Sequence, residues 1–163
     1  MSSILQAIII GTGATLFMDL YALVLKFFSI KTLDYRFVGR WIGHFPKGKF
    51  FHNKIMESPV IIYEVPLGWI AHYLIGITFA FSLVFVFGEK WVKNPTLIPA
   101  LIIGIITIVG PFLLMQPAFG FGIAGSNLPD PNKARLMSLI THTIFGIGLY
   151  LSTVILNQIM KLF

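Results

Sequence analysis

Long runs of apolar residues dominate the chain and alternate with short polar segments. Four of these runs cover residues 4–28, 66–88, 96–116 and 134–159. A helix needs about 20 apolar residues to cross hydrocarbon about 30 Å thick, and each run reaches that length. The pattern therefore predicts an all-α, integral membrane four-helix bundle, with residues 1–163 forming a single transmembrane domain.

The composition agrees with lipid as the main solvent of this chain. Hydrophobic residues make up 56% of it and charged residues 11%, and the mean hydropathy is +0.87. Soluble domains carry about 25% charged residues. The sequence contains no cysteine, which excludes disulfides, thiolate nucleophiles and thiolate metal sites.

The first connection, residues 29–65, is not plainly polar. Phe37 and Trp41 lie four residues apart, as do Arg36 and Arg40. On a helix this spacing gives an aromatic face beside a basic edge. It is typical of a short amphipathic helix lying among lipid headgroups, but a loop folded back over the mouth of the bundle would fit equally well.

Other polar residues of the connections carry less information. His44 and His52 are expected at the surface or among headgroups, and Glu57 and Glu64 in ion pairs of little energetic weight. The third connection, residues 117–133, begins almost without polar side chains and could re-enter the bundle, because irregular backbone at depth is tolerated only against protein or water. Within the third apolar run, a proline at position 111 should kink the helix.

The chain has a net charge of +6, and the distribution of its Lys and Arg residues between the two faces of the membrane sets the predicted topology. Nine of the twelve Lys and Arg residues lie on the face that carries the first and third connections. Such an excess marks the cytoplasmic side, so both termini should lie outside the cytoplasm. Because the cations sit in connections between apolar runs, anionic lipid headgroups are the expected partner and nucleic acid is not.

The second and fourth runs share the pattern His-x-x-x-Gly-Ile, which reads HYLIGI from His72 and HTIFGI from His142. The first and third runs share the segments GATLFMDL and GPFLLMQP, in which Asp19 falls opposite Gln116. The matches predict two repeated hairpins of one orientation, related by an axis along the membrane normal. The glycine that follows each histidine by four residues would allow close helix approach or leave room for a ligand.

Asp19, His72, His142 and Gln116 are the candidate residues for binding a ligand or an ion. An ionisable group inside a membrane is expensive, so Asp19 suggests a proton or cation site, although a purely structural carboxylate remains an alternative. The two histidines could form a hydrogen-bonded network that fixes helix register. They could also be axial ligands of haem b, or hold a divalent metal together with Asp19.

Five stretches of the chain resemble a family of small four-span bacterial inner-membrane proteins that is catalogued only as a domain of unknown function. They are ATLFMDLYAL, LDYRFVGRWIGHFPKGKF, LGWIAHYLIGITFA, PFLLMQPAFGFGIAGS and LMSLITHTIFGIGLYL, and they follow one another over nearly the whole chain. The resemblance implies a multi-pass protein of the bacterial inner membrane. It implies no activity and no catalytic residues.

The leading functional hypothesis is a non-enzymatic membrane protein. It would bind or conduct a small ligand or ion at a polar site facing the cytoplasm, or serve as an accessory subunit of a membrane complex or as a homo-oligomer. A redox protein that binds haem b or a metal through His72 and His142 is the first alternative. An intramembrane enzyme with an Asp–His pair for proton transfer is the second.

Overall fold

The chain folds almost entirely into helices in a computed structural model that describes residues 1–162. Helix makes up 76% of it, and no strand occurs in that range. Four helical segments are long and apolar enough to cross a membrane: Ser3–Phe27, Glu64–Lys93, Leu97–Ala118 and Pro131–Met160. The all-α fold predicted from the apolar runs is confirmed, and the chain is a multi-pass membrane protein.

The remaining elements are shorter. We number the helices α1 (Ser3–Phe27), α2 (Tyr35–Gly43), α3 (Glu64–Lys93), α4 (Leu97–Ile106), α5 (Gln116–Ala118) and α6 (Pro131–Met160). Three 3₁₀ turns lie in the first and third connections, at Phe45–Lys47, Ile55–Glu57 and Ile123–Gly125.

Two of the spanning segments are irregular, and each irregularity has a residue that explains it. In α3, Gly88 has φ 72° and ψ 177°, a conformation that residues with a Cβ atom avoid. The second apolar run was predicted to end at this residue. In the third segment, α4 gives way at Thr107 to a π-helical turn over Pro111–Met115. The irregularity expected at Pro111 is thus present, since proline lacks the N–H that would continue the helix.

The described chain divides into two compact units. The first unit comprises residues 1–32, 73–107 and the chain from residue 140 onward, and the second comprises residues 33–72 and 108–139. The core of the first unit is built from small, aliphatic and aromatic residues of the spanning helices. The core of the second unit consists of Val38, Ile55, Ala118 and Phe119.

Glycines set the packing of two helix pairs in the first unit. A Cβ atom added at Gly11 would lie 2.5 Å from the Cα of Ile77, next to Gly76, so α1 and α3 touch backbone to backbone. A Cβ atom added at Gly104 would lie 2.6 Å from the Cα of Gly146, so α4 and α6 do the same. The glycines of the two His-x-x-x-Gly-Ile patterns therefore serve close helix approach, a role that small residues play in membrane bundles.

These contacts align the two hairpins of the internal repeat in a register that differs from the one predicted from GATLFMDL and GPFLLMQP. They align AIIIG, which ends at Gly11, with ALIIG, which ends at Gly104, and the first alanine and last isoleucine of both segments are buried. In this register Asp19 lies opposite Phe112 rather than opposite Gln116. The register inferred from the sequence alone therefore differs by one helical turn.

Candidate functional site

Asp19 of the first unit has a neutral hydrogen-bond donor beside it. The Tyr73 hydroxyl on α3 donates to Oδ2 of Asp19 on α1, with 2.9 Å between the oxygens. Both side chains are half-buried. The contact joins the one acidic residue of α1 to a spanning helix that begins 45 residues later in the chain. It places a carboxylate of α1 in a hydrogen bond with α3.

His142 of the same unit lies against the irregular end of α4. Thr107 Oγ1 donates to the carbonyl oxygen of Gly104 at 2.5 Å and lies 2.8 Å from Nδ1 of His142. A threonine hydroxyl has a single proton, so when this proton goes to Gly104 the contact requires a proton on Nδ1. In a neutral ring with this tautomer, Nε2 of His142 is the nitrogen that accepts a hydrogen bond or binds a ligand.

His72 and Gln116 belong to the second unit. The His72 ring is buried and stacks on Tyr35, with 4.0 Å between the centroids and 24° between the planes. The indole of Trp69 meets the same ring edge-on at 5.9 Å. Gln116 is buried as well, and its Oε1 has no hydrogen-bond partner among the residues that the structure describes.

The four residues predicted from the sequence are thus divided between the units, with Asp19 and His142 in the first and His72 and Gln116 in the second. Within residues 1–162, no three His, Asp or Glu side chains are grouped so that they could hold a metal ion.

A buried ion pair in the second unit was not expected. Nε and Nη2 of Arg40 donate to the two carboxylate oxygens of Glu64 at 2.8 and 2.9 Å, and both side chains are buried. The third nitrogen, Nη1, donates to the carbonyl oxygens of Ile55, Met56 and Ser58. Arg40 is therefore not a basic edge at the surface, and Glu64 is not a weak surface partner. The basic edge expected at Arg40 is wrong. The ion pair expected for Glu64 is present, but it is buried.

The packing of α2 explains why Arg40 is buried. The helix begins after Asp34, whose carboxylate accepts the backbone N–H of Arg36 at 3.0 Å. It then crosses α3 closely, because a Cβ atom added at Gly39 would lie 2.7 Å from the backbone nitrogen of Gly68. Arg40 follows Gly39 directly and so faces α3. The hydrogen bond to Glu64 raises the pKa of the Arg40 guanidinium above its ordinary value, which keeps it charged.

The aromatic face of α2 also packs against protein. Phe37 and Trp41 contact the buried cluster that contains Ile55 and Phe119. The indole N–H of Trp41 donates to the carbonyl oxygen of Phe50 at 2.7 Å. The helix predicted from the four-residue spacing exists, and it is an internal element of the second unit.

His44 and His52 differ most from their expected position. They are 3% and 4% exposed, and their ring centroids are 5.0 Å apart. The backbone N–H of His52 donates to the carbonyl oxygen of Ala118 at 2.9 Å, which ties the first connection to the third. Burial lowers the pKa of both imidazoles below the ordinary value of 6.5, and the charge of Lys49 lowers it further. Both rings are therefore neutral at neutral pH.

One signal in the sequence pointed to this burial. His44 follows Arg40 by four residues, so the two share one face of the helical segment. Arg40 is buried because it binds a carboxylate and three carbonyl oxygens, and His44, on the same face, is therefore buried in the unit as well. The spacing becomes informative only when the partner of Arg40 is known.

The model of a family described as protein of unknown function (DUF2938) matches residues 8–156. The chain belongs to the DUF2938 family. The resemblance inferred from five stretches of the sequence is confirmed. No curated protein and no solved structure is significantly similar to the chain.

The DUF2938 match takes in all the groups described above. It includes the carboxylate and histidine of the first unit and the ion pair and histidine pair of the second. Membership of DUF2938 assigns no activity to any of them. Their chemistry has to be inferred from their contacts.

Proposed function

We propose that this DUF2938 protein resides in the bacterial inner membrane and binds or conducts a small ion, or another small polar ligand, at Asp19. The observation that carries the proposal is the contact between Asp19 and Tyr73. Charged groups are rare in spanning helices because their transfer out of water is unfavourable, and those that occur mark ion, proton or substrate paths.

The contact with Tyr73 is compatible with ion binding at Asp19. A tyrosine hydroxyl stabilises a carboxylate by hydrogen bonding and does not itself neutralise it, so a carboxylate held in this way can still take up a proton or a cation. The half-buried position of Asp19 also leaves part of its surface accessible.

His142 supports the same proposal from a second position in the first unit. Its Nδ1 contact with Thr107 leaves Nε2 to accept a proton or to bind a ligand. A carboxylate and a neutral imidazole are the two side chains most used in membrane proton relays.

The charge distribution supports the proposed orientation. Arg40 is neutralised by Glu64, but the other Lys and Arg residues of the first and third connections still outnumber the three on the opposite face. The segment around Lys47 and Lys49 also exposes Phe50 and Phe51, a combination that suits anionic headgroups. We place this face in the cytoplasm and both termini outside it.

Reporter fusions should test the orientation. A reporter inserted after Lys49 should be active only as a cytoplasmic reporter, and one at the carboxyl terminus only as an external reporter, because the positive-inside bias acts on short connections. A carboxyl terminus found in the cytoplasm would contradict the assignment.

The ion site is tested in proteoliposomes that contain a pH-sensitive dye, with a potassium gradient and valinomycin to set the membrane potential. The wild-type protein should carry protons faster than empty vesicles do. Asp19→Asn should reduce this flux by about tenfold or more, because the amide keeps the shape of the side chain and loses its charge. Asp130→Asn is the matched control, since Asp130 is exposed at the start of α6, where asparagine caps equally well.

Two results would count against the proposal. If Asp19→Asn keeps the wild-type flux and lowers the melting temperature, the carboxylate is structural. If the purified protein shows a Soret absorption band that His142→Ala removes, the haem alternative replaces the proposal.

A further inference from the structure

The most unusual polar group outside the spanning helices is the pair His44 and His52 in the second unit. Each side chain is more than nine-tenths buried, and the rings face each other at 5.0 Å. Nδ1 of His44 and Nε2 of His52 have no hydrogen-bond partner among the described residues. A buried polar atom left in this way destabilises the fold, so two of them in adjacent rings require an explanation.

One tautomer of His52 satisfies both contacts of Ser58. Ser58 Oγ lies 3.3 Å from the carbonyl oxygen of Lys54 and 2.8 Å from Nδ1 of His52. Both contacts are hydrogen bonds at once only when Ser58 donates to Lys54 and Nδ1 of His52 supplies the proton of the second contact. The unpartnered Nε2 of His52 is then an unprotonated nitrogen with its lone pair directed away from Ser58.

This arrangement is the one that metal-binding histidines adopt. A ligating imidazole almost always donates its other N–H to a nearby acceptor, which fixes its tautomer and ring orientation. Ser58 does this for His52.

The spacing of the rings fits a shared ion. A Zn–N bond of about 2.0–2.1 Å and a tetrahedral angle put the centroids of two ligating imidazoles roughly 5 Å apart. Two imidazoles without a thiolate favour a borderline divalent ion such as Zn²⁺, Ni²⁺ or Cu²⁺. Because no third His, Asp or Glu completes a group within residues 1–162, water must fill the remaining positions.

We propose that His44 and His52 form a divalent transition-metal site, with Nδ1 of His44 and Nε2 of His52 as ligands and Ser58 as the residue that positions His52. The site uses different residues from the proposed ion site at Asp19 and from the metal site that the sequence suggested at Asp19, His72 and His142. The nearby Lys47 and Lys49 oppose a cation, and only two protein ligands are present, so the affinity is expected to be moderate rather than that of a structural zinc site.

The site has a consequence for the fold. His44 ends α2, and His52 is bonded through its backbone to the third connection at Ala118. An ion held between the two rings would join these segments, and a ligand that binds only the folded state raises its stability. Metal binding should therefore raise the melting temperature.

The test uses the full-length protein, stripped of metal with a chelator and titrated with ZnCl₂ by calorimetry. About one Zn²⁺ per chain should bind, and the melting temperature should rise. His44→Gln and His52→Gln should each lower the affinity by at least 30-fold, while Ser58→Ala, which keeps both ligands, should lower it by about 10-fold. Glu57→Gln is the control and should leave the affinity unchanged, because this carboxylate is exposed and paired with Lys54.

A second measurement needs no variant. Cu²⁺ bound to the wild-type protein should give an electron paramagnetic resonance spectrum with hyperfine coupling to two imidazole nitrogens. The proposal is overturned if the wild-type protein binds no Zn²⁺ at millimolar concentration. It is equally overturned if bound Cu²⁺ shows no coupling to imidazole nitrogen. Proton flux through the Asp19 site is measured separately and should not change on removal of Zn²⁺.

Discussion

Arg40→Met should destabilise the protein by about 3–5 kcal/mol, since removal of one partner of a buried ion pair leaves the other charge without compensation. Methionine fills much of the same volume but donates no hydrogen bond. The loss of stability therefore comes from the buried charge of Glu64 and from three carbonyl oxygens, all of which lose the donor that Arg40 supplies. The expected result is a large drop in the melting temperature in detergent, together with faster proteolysis of the first connection.

The chain provides a matched control for this experiment. Arg36→Met removes an arginine from the same helix whose partner, Asp34, lies beside it at the surface, and exposed pairs contribute little to stability. Its melting temperature should stay close to that of the wild type. The double variant Arg40→Met/Glu64→Leu should recover part of the loss, because no unpaired charge remains. Equal melting temperatures for Arg40→Met and Arg36→Met would contradict a stabilising role for the buried pair.

The apolar runs predicted the spanning segments well because a single physical requirement determines them. A helix in lipid satisfies all its backbone groups internally, so length and hydrophobicity are enough to identify it. The breaks followed from residue chemistry in the same way. Gly88 marks the end of the second predicted run, and Pro111 marks the irregular part of the third segment.

The second unit could not be predicted in this way. The pairing of Arg40 with Glu64 joins residues 24 positions apart, and the contact of His52 with Ala118 joins two different connections. Neither contact has a local periodicity, and each depends on which connections fold against each other. The sequence analysis predicted that the Lys, Arg and His residues of the basic loop lie at the surface. This prediction was wrong for three of them: Arg40, His44 and His52.

The internal repeat shows both the value and the limit of sequence matching. The histidine motifs were aligned correctly enough to identify two glycines at helix contacts, Gly76 and Gly146. The partner helices were then matched with Gly13 opposite Gly110, together with a leucine, a methionine and a polar residue, although the glycines at the helix contacts are Gly11 and Gly104. Close approach of two backbones depends on small side chains at the contact. The segments AIIIG and ALIIG each provide an alanine and a glycine on the buried face of the helix.

These glycine contacts support the second large effect. Gly11→Leu and Gly104→Leu should each destabilise the protein strongly, because even a Cβ atom at these positions would lie about 2.5 Å from backbone atoms of the facing helix. Overpacking of this kind typically costs about 1–3 kcal/mol when side chains can adjust, and here the obstacle is main chain. The helices must separate, so we expect low yields of folded protein and a reduced melting temperature.

Gly110 is the matched control for the smaller change to alanine. No described atom outside its own helix lies within 4 Å of a Cβ atom built there, and its backbone is helical. Gly110→Ala should therefore change the stability little, since the gain in helix propensity of about 1 kcal/mol is offset by the steric conflict between a Cβ atom at a helical residue and the ring of the following Pro111. Gly11→Ala and Gly104→Ala should lower the melting temperature despite the same gain in helix propensity. If all three alanine variants melt alike, the two helix pairs do not meet at their glycines, and the repeat register drawn from those contacts is wrong.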